Sequence, residues 1–203
     1  MGFLSRIFGS SNSKKEFKPA PELTSELMDE GLYWQIIQIS IDESGGDPEC
    51  QENVIVGELE KLKPAEMIGF RLRTDKFLYD SYCSKFWCAG YLMNGGCSDD
   101  MFEYFRLWVI SKGRDVFNFA VNDPDSLVSQ DQDGIEFYEF ESFWYVALRS
   151  FENVTGKNLY DFIDYENFKF REGKYPNFEF DWSEEDPESM RKLCPKLFDR
   201  FYQ

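Results

Sequence analysis

The stretch Asn94-Gly95-Gly96-Cys97-Ser98-Asp99-Asp100 decides the fold, because it ends one helix and begins the next within a single short turn. The two glycines supply the positive φ angles that close a helix. Ser98 is a preferred N-cap residue, and the aspartates that follow lie in a first turn, where the helix dipole favours negative charge. The sequence predicts a helix from here to Lys112, with Gly113 as its C′ residue.

The chain before this corner shows helical periodicity with clear start and stop signals. Asp29 is an N-cap ahead of apolar residues at helical spacing, and Gly45-Gly46 ends that helix. Asp47-Pro48-Glu49 opens a second helix, with Asp at the cap and Pro at the first helical position. Pro64 begins a third, for which we predict a break near Thr74-Asp75 and then a long helix to Met93.

The chain after the corner continues as helix before it becomes irregular. We predict helix from Arg114 to Val121 and a second helix of four turns that ends near Gly156. The apolar stripe of the second helix consists of Phe137, Phe140, Trp144, Leu148 and Phe151. Asn177 to Trp182 alternates aromatic and acidic residues, which fits either one short edge strand or an extended strap over the helices.

These signals predict an all-α protein in two parts. Residues 1–20 form a basic flexible tail, and residues 21–203 form a single compact multi-helix domain with an irregular aromatic-rich C-terminal strap. Strands do not alternate with helices, so a Rossmann-type sheet is not expected. The tail either docks on its own domain, stays mobile, or contacts a membrane weakly through residues 1–18.

Charge and histidine content restrict the function classes. The formal net charge is -16; residues 1–20 contribute +3, and the remaining 183 residues therefore carry -19. Such a polyanion is a poor ligand for nucleic-acid phosphates, so we expect no nucleic-acid partner. The absence of histidine excludes an imidazole base, a Ser-His pair and a histidine metal ligand. We expect no cofactor.

Cysteine usage indicates a cytoplasmic protein. The chain has five cysteines, an odd number, and its first residues are too weakly apolar for a secretory signal. The spacing of Cys83, Cys88 and Cys97 matches no usual zinc signature, so we interpret the cysteines as inert thiols or core residues.

Several segments resemble a bacterial family known as domain-of-unknown-function family 4240. They are Tyr91 to Arg106, which includes the corner, then Trp108 to Arg114, Asn122 to Leu127, and Cys194-Pro195-Lys196-Leu197-Phe198. The resemblance extends over roughly residues 28–201 and implies an all-helical fold with no assigned activity. Some members are similar in setting to bacterial toxin-immunity or regulatory genes. Lys63 departs from the family, which tends to have a capping Ser or Thr there.

The corner and the helices around it form the first candidate ligand or partner site: Trp87, Tyr91, Asn94, Cys97, Asp99, Asp100, Glu103, Arg106 and Trp108. Asp99 and Glu103 share a helix face and, with Asp100, are weak candidates for Mg²⁺ or Ca²⁺ ligands, although capping alone explains both aspartates. Arg106 either pairs with Glu103 on the helix surface or is a buried guanidinium that fixes Asp99 or a ligand carboxylate. No catalytic residue is assigned.

A second candidate surface combines aromatic and acidic residues of the C-terminal portion: Tyr160, Asp161, Asp164, Tyr165, Glu166, Phe178 and Trp182. These residues suit a binding face for a basic protein, or else a strap whose aromatics pack on the core. We therefore expect a non-enzymatic, acidic protein–protein interaction module, immunity-like or regulatory toward a basic partner. The alternative is a carboxylate enzyme dependent on a divalent metal, centred on Asp99, Asp100 and Glu103.

Overall fold

The computed structural model describes residues 22–132, 134–170 and 174–202. The predicted basic tail, with its weak membrane contact, lies outside these residues. The helices are α1 (Glu30–Ser44), α2 (Pro48–Glu60), α3 (Pro64–Asp80), α4 (Ser84–Asn94), α5 (Asp99–Ser111), α6 (Arg114–Asn122), α7 (Val146–Thr155), α8 (Pro187–Leu193) and α9 (Pro195–Phe201). Short 3-10 turns cover Pro124–Gln130, Glu141–Tyr145 and Leu159–Phe162. The described residues contain no β-sheet, and the all-α prediction is confirmed.

The predicted helix starts are present as hydrogen bonds. Asp29 Oδ1 accepts from the Leu32 N–H at 2.9 Å, and Asp47 Oδ1 accepts from the Cys50 N–H at 2.7 Å. Ser98 Oγ accepts from the Met101 N–H at 3.3 Å and caps α5. Each bond satisfies one backbone donor that a helix leaves unpaired at its first turn.

The corner between α4 and α5 has the predicted geometry. Gly95 ends α4 in the left-handed region, with φ 65° and ψ 26°. The next N–H, that of Gly96, donates to Tyr91 O at 3.0 Å and closes the last turn of α4. Ser98 then begins α5 after two intervening residues, so two long helices turn sharply against each other.

Helix α3 corrects one prediction. It runs unbroken from Pro64 to Asp80, and the break lies at residues 81–83 instead of near Thr74-Asp75. Thr74 and Asp75 are polar but buried: Thr74 Oγ1 donates to Phe70 O within the helix, and the Asp75 carboxylate lies 2.9 Å from Arg71 Nη2. Polar residues that suggested a surface turn are therefore paired inside the protein.

The segment before α7 corrects a second prediction. Only Val146–Thr155 of the expected four-turn helix is α-helical; Glu141–Tyr145 is a 3-10 turn and residues 137–140 are not helical. The reason is that other helices supply the hydrogen-bond acceptors here. The Tyr138 N–H donates to Asn94 Oδ1 at 2.8 Å, and the Phe140 N–H donates to Tyr104 O at 3.1 Å.

The C-terminal strap, residues 174–182, lies extended over α4. Residues 177–182 form no strand, so the extended strap is present and the predicted edge strand is not. The Trp182 indole N–H donates to Ser84 O at 3.0 Å, and the Asp181 N–H donates to Ser84 Oγ at 3.2 Å. Bonds to the start of a helix thus hold the strap in place.

Helix α5 lies at the centre of the core. Four consecutive residues of its second half, Leu107, Trp108, Val109 and Ile110, are all at most 5% exposed. Four consecutive buried residues span almost the whole circumference of a helix, so this half of α5 is surrounded by other elements; α5 contacts α3, α4, α6 and the segment before α7. No helix in the described part of the chain combines the length and apolar character that crossing a membrane requires.

The first turn of α3 has only one of the two hydrogen bonds of a capping box, and adding the second is predicted to stabilise the protein. Glu66 Oε2 accepts from the Lys63 N–H at 2.9 Å, but the Lys63 ammonium cannot accept a hydrogen bond from the helix. We expect Lys63→Ser to raise the free energy of unfolding by about 1 kcal/mol relative to Lys63→Ala, because both remove the charge and only serine adds a cap. Urea denaturation measures the difference; equal stability of the two variants would contradict it.

Candidate functional site

Trp87 and Cys97 close the inside of the corner. The Trp87 indole N–H donates to Cys97 O at 3.0 Å, and its ring stacks on Phe102 with centroids 4.3 Å apart. A Cβ added at Gly90 would lie 3.3 Å from Cys97 Sγ and 3.0 Å from the Phe105 ring, so α4 approaches α5 as closely as a glycine allows. This side of the corner is a packed junction.

The Cys97 thiol is not an activated nucleophile. Burial raises the pKa of Cys97 to about 12, the Arg106 guanidinium lowers it in part, and Asp99 raises it again. The thiol is therefore protonated at neutral pH, despite its place before a helix N-terminus.

The acidic residues at the start of α5 separate in space. Asp99 and Asp100 are exposed in the first turn, where they complement the helix dipole. Glu103 is half-buried, and its Oε2 accepts from the Tyr175 hydroxyl at 3.2 Å. Across the described ranges, no three side chains of the Asp, Glu, Cys or His type are grouped as ligands for a metal ion.

Arg106 is a buried guanidinium, only 1% exposed. Its Nε donates to Phe102 O at 3.1 Å, and its Nη1 donates to Leu78 O, near the end of α3, at 2.5 Å. The guanidinium carbon lies 4.8 Å from the centroid of the Tyr175 ring and 5.0 Å from that of Tyr82. Burial lowers the pKa of Arg106, and contact with Tyr175 opposes that change. Arg106 thus joins α5, the end of α3 and the strap.

A second buried arginine, Arg71 of α3, faces the same region. Its Nη2 lies 2.9 Å from Asp75 Oδ1, and its Nη1 donates to Trp144 O at 3.2 Å. The guanidinium carbon is 3.4 Å from the centroid of the Trp144 ring. Burial lowers the pKa of Arg71, but the Asp75 carboxylate more than offsets this, so the pKa is raised. Glu103 adds to the same stabilisation.

We call Arg71, Asp75, Glu103 and Arg106, with Tyr175 over them, the charge cluster. Two cations and two anions balance each other between α3 and α5, which is the condition for burying charge without a large cost. Arg71 Nη1, Arg106 Nε and Arg106 Nη1 donate to backbone carbonyls, whereas Arg71 Nε is buried without a hydrogen-bond partner among the described residues. The cluster therefore fixes helices and strap in place.

Sequence reasoning missed Arg71 and Asp75. Their opposite charges at i,i+4 spacing were the available signal, because such a pair shares one helix face. The expected break near Thr74-Asp75 placed the two residues in different helices and so concealed the pair.

The remaining corner candidates lie apart from the charge cluster. Asn94 Oδ1 binds the Tyr138 N–H, and Trp108 packs edge-on against Tyr138 with centroids 5.1 Å apart. Trp108 also lines a cleft of about 340 Å³ with Gln51 and Lys112. Tyr91 contacts Trp182 of the strap at 5.2 Å between centroids. The residues of the predicted site are therefore divided among several separate environments around α4 and α5.

The second predicted surface also divides. Residues 160–166 pack near α7, where Phe162 contacts Phe151, and near Thr24, whose N–H donates to Phe162 O at 3.0 Å. Tyr160 lies with its ring centroid 5.8 Å from the Arg71 guanidinium carbon.

In this segment Asp161, Tyr165 and Glu166 are exposed, and Asp164 is half-exposed. The Asp164 carboxylate accepts from Asn167 Nδ2 and from the backbone N–H groups of Glu166 and Asn167. Its pKa is lowered, chiefly by the Asn167 side-chain hydrogen bond. This carboxylate shapes a turn.

Phe178 and Trp182 belong instead to a row of rings on α4. Phe178, Phe180 and Trp182 contact one another edge-on, with centroids 5.1 and 5.5 Å apart. Phe180 contacts Trp87 at 5.3 Å and yet remains 54% exposed. Residues 177–188 also carry six carboxylates and no basic residue. We call residues 177–188 with Tyr91 the strap face.

The buried ion pair of the charge cluster can be tested against a surface pair in the same helix. We expect Asp75→Asn to lower the free energy of unfolding by about 3–5 kcal/mol, because it leaves the Arg71 charge buried without its carboxylate. Asp80→Asn breaks the pair between the half-buried Lys76 and the exposed Asp80 at the surface of α3 and is expected to cost at most about 1 kcal/mol. Urea denaturation compares the two; similar losses would show that the buried pair has no special role.

Comparison with known proteins gives one family and no further match. Residues 28–153 match the family described as "Protein of unknown function (DUF4240)", and the matched residues make up more than half of the chain. Residues 177–188 of the strap face and helices α8 and α9 lie beyond the matched residues, whereas Tyr91 lies within them. No curated protein and no solved structure is similar enough to the chain to count as a match. The chain therefore belongs to the DUF4240 family of proteins of unknown function.

Proposed function

We propose that this protein is a non-enzymatic interaction module that binds a basic protein partner on the strap face. The observation that carries the proposal is the combination of six carboxylates, uninterrupted by any basic residue, with a row of aromatic rings held against α4. Aromatic anchors supply affinity in such interfaces, and a single sign of charge steers the encounter.

The charges of the strap face are available to a partner. Glu179, Glu184 and Glu185 are exposed and form no ion pair with other described residues. Asp181 accepts a hydrogen bond from Ser84 Oγ, and Glu188 Oε1 lies 3.8 Å from Arg191 Nη1. Exposed carboxylates without a cation are solvated now and gain a counter-charge when a basic surface docks.

The rings of the strap face are rigid and partly exposed. Trp182 donates to Ser84 O, and Tyr91 packs against its ring. Phe180 projects with more than half of its surface exposed while its neighbours on both sides hold it. A pre-positioned ring loses little conformational entropy on binding, which favours its use as an anchor.

An immunity-like role, in which the acidic face covers a basic toxin or effector, is one form of this proposal. The alternative of a metal-dependent enzyme centred on Asp99, Asp100 and Glu103 has less support, since Glu103 is bound to Tyr175 while the two aspartates are exposed in a first helical turn. The interaction module is therefore the function that we put forward.

A variant of the strap face tests the proposal. We expect affinity capture from the source cells to retain a basic protein, and calorimetry with that purified protein to show affinity that falls as salt rises. The triple variant Glu179→Gln, Glu184→Gln, Glu185→Gln is expected to bind about tenfold more weakly, and Phe180→Ala to weaken binding by about 1–2 kcal/mol.

The matched control neutralises three exposed carboxylates elsewhere: Glu43→Gln, Glu49→Gln and Glu136→Gln. It changes the net charge equally, so it separates a local site from the effect of total charge. Equal weakening by both triple variants, or a captured partner that is acidic, would contradict the proposed site.

A further inference from the structure

We propose that the cleft beside Lys112 is a binding site for a small organic anion with a planar apolar body. The cleft has a volume of about 340 Å³ and lies between the α1–α2 connection, the end of α5 and residues 130–132 and 135–140. Its apolar lining includes Trp108, Phe137 and Phe140, and Gln51 and Lys112 are among its polar residues. Small-molecule sites have this size and this mixture of apolar walls with a few polar groups.

Lys112 is the feature that selects an anion. It is half-buried, and no carboxylate among the described residues lies within 4.0 Å of its ammonium group. The other half-buried lysines of the described chain, Lys76 and Lys85, are both paired with aspartates. In a chain with 38 acidic residues, a partly desolvated lysine without a carboxylate leaves its charge to be matched from outside.

The position of the Lys112 ammonium is fixed by Trp108. Its Nζ lies 5.2 Å from the centroid of the indole ring, within the range of a cation–π contact. Burial lowers the pKa of Lys112, and no charge among the described residues opposes this change. An anion bound at Nζ would stabilise the charged form of the lysine.

The walls of the cleft are preformed. Trp108 stacks on Phe105 and packs edge-on against Tyr138, and it is only 5% exposed. The Gln51 amide donates to Ser111 O at 2.9 Å and to Ser40 Oγ at 3.2 Å, which fixes the opposite wall. Phe137, which lines the same cleft and is 47% exposed, offers the ring surface against which a flat ligand would pack.

Glu139 limits the ligand to a single anionic group. It lines the same cleft and is exposed, so it would repel a second negative charge placed away from Lys112. The ligand class is thus an aromatic or similarly planar molecule with one carboxylate, sulfonate or phosphate. No residue of this cleft belongs to the strap face. A test of the cleft is therefore independent of a test of the proposed function.

Titration with 2-naphthoate, followed by two-dimensional NMR of the ¹⁵N-labelled full chain, tests the site. We expect saturable shifts of the Trp108 indole and Lys112 amide signals, and no such saturation with the neutral 2-naphthalenemethanol. Lys112→Met is expected to weaken binding about tenfold and Lys112→Arg only slightly, because a charge-assisted hydrogen bond is lost in the first variant alone.

Two further variants serve as controls. Lys192→Met removes an exposed lysine of α8 and is expected to leave the affinity unchanged. Glu139→Gln is expected to tighten binding about twofold to threefold, because it removes the repulsive charge. Glu139 is exposed, so the substitution is expected to leave the fold intact. Absence of saturable binding, equal affinity of Lys112→Met and the unaltered protein, or weaker binding by Glu139→Gln would overturn the proposal.

Discussion

The hydrogen bond from Arg106 of α5 to Leu78 O of α3 is the interaction on which the arrangement of the helices depends. The last carbonyls of any helix lack intrahelical donors, and a cation near them is favoured by the helix dipole. Arg106 therefore acts as a C-cap supplied from another helix. It allows α3 to end at Asp80 and the chain to turn into α4 within residues 81–83.

The Arg106 guanidinium also helps to position the strap at the protein surface. Tyr175 lies over Arg106, stacks on Tyr82 with centroids 4.4 Å apart, and donates a hydrogen bond from its hydroxyl group to Glu103 Oε2. The strap is thereby attached at Tyr175 and again at Trp182, with the exposed Phe180 between the two. A buried charge balance between helices thus positions the aromatic and acidic groups that we propose for partner binding.

Local chemistry made the corner predictable. Gly95, Ser98 and the first-turn aspartates act on their own backbone neighbourhood, so their roles follow from the order of residues alone. Thr74 and Asp75 differ because their burial depends on partners that the chain order does not reveal, among them Tyr33, whose hydroxyl lies 2.9 Å from Thr74 Oγ1. The strap face was only half predictable for the same reason: residues 160–166 and 177–182 are close in sequence but pack on different helices.

Hydrogen exchange of the strap tests most directly whether the charge cluster holds it. Tyr175→Ala removes the ring over Arg106 and is predicted to raise the exchange rate of amides in residues 177–182 by about tenfold or more, with α1 and α2 unchanged. Tyr145→Ala, which truncates an exposed tyrosine elsewhere, is the matched control and is predicted to leave the strap as it is. Unchanged exchange of residues 177–182 in Tyr175→Ala would contradict the account.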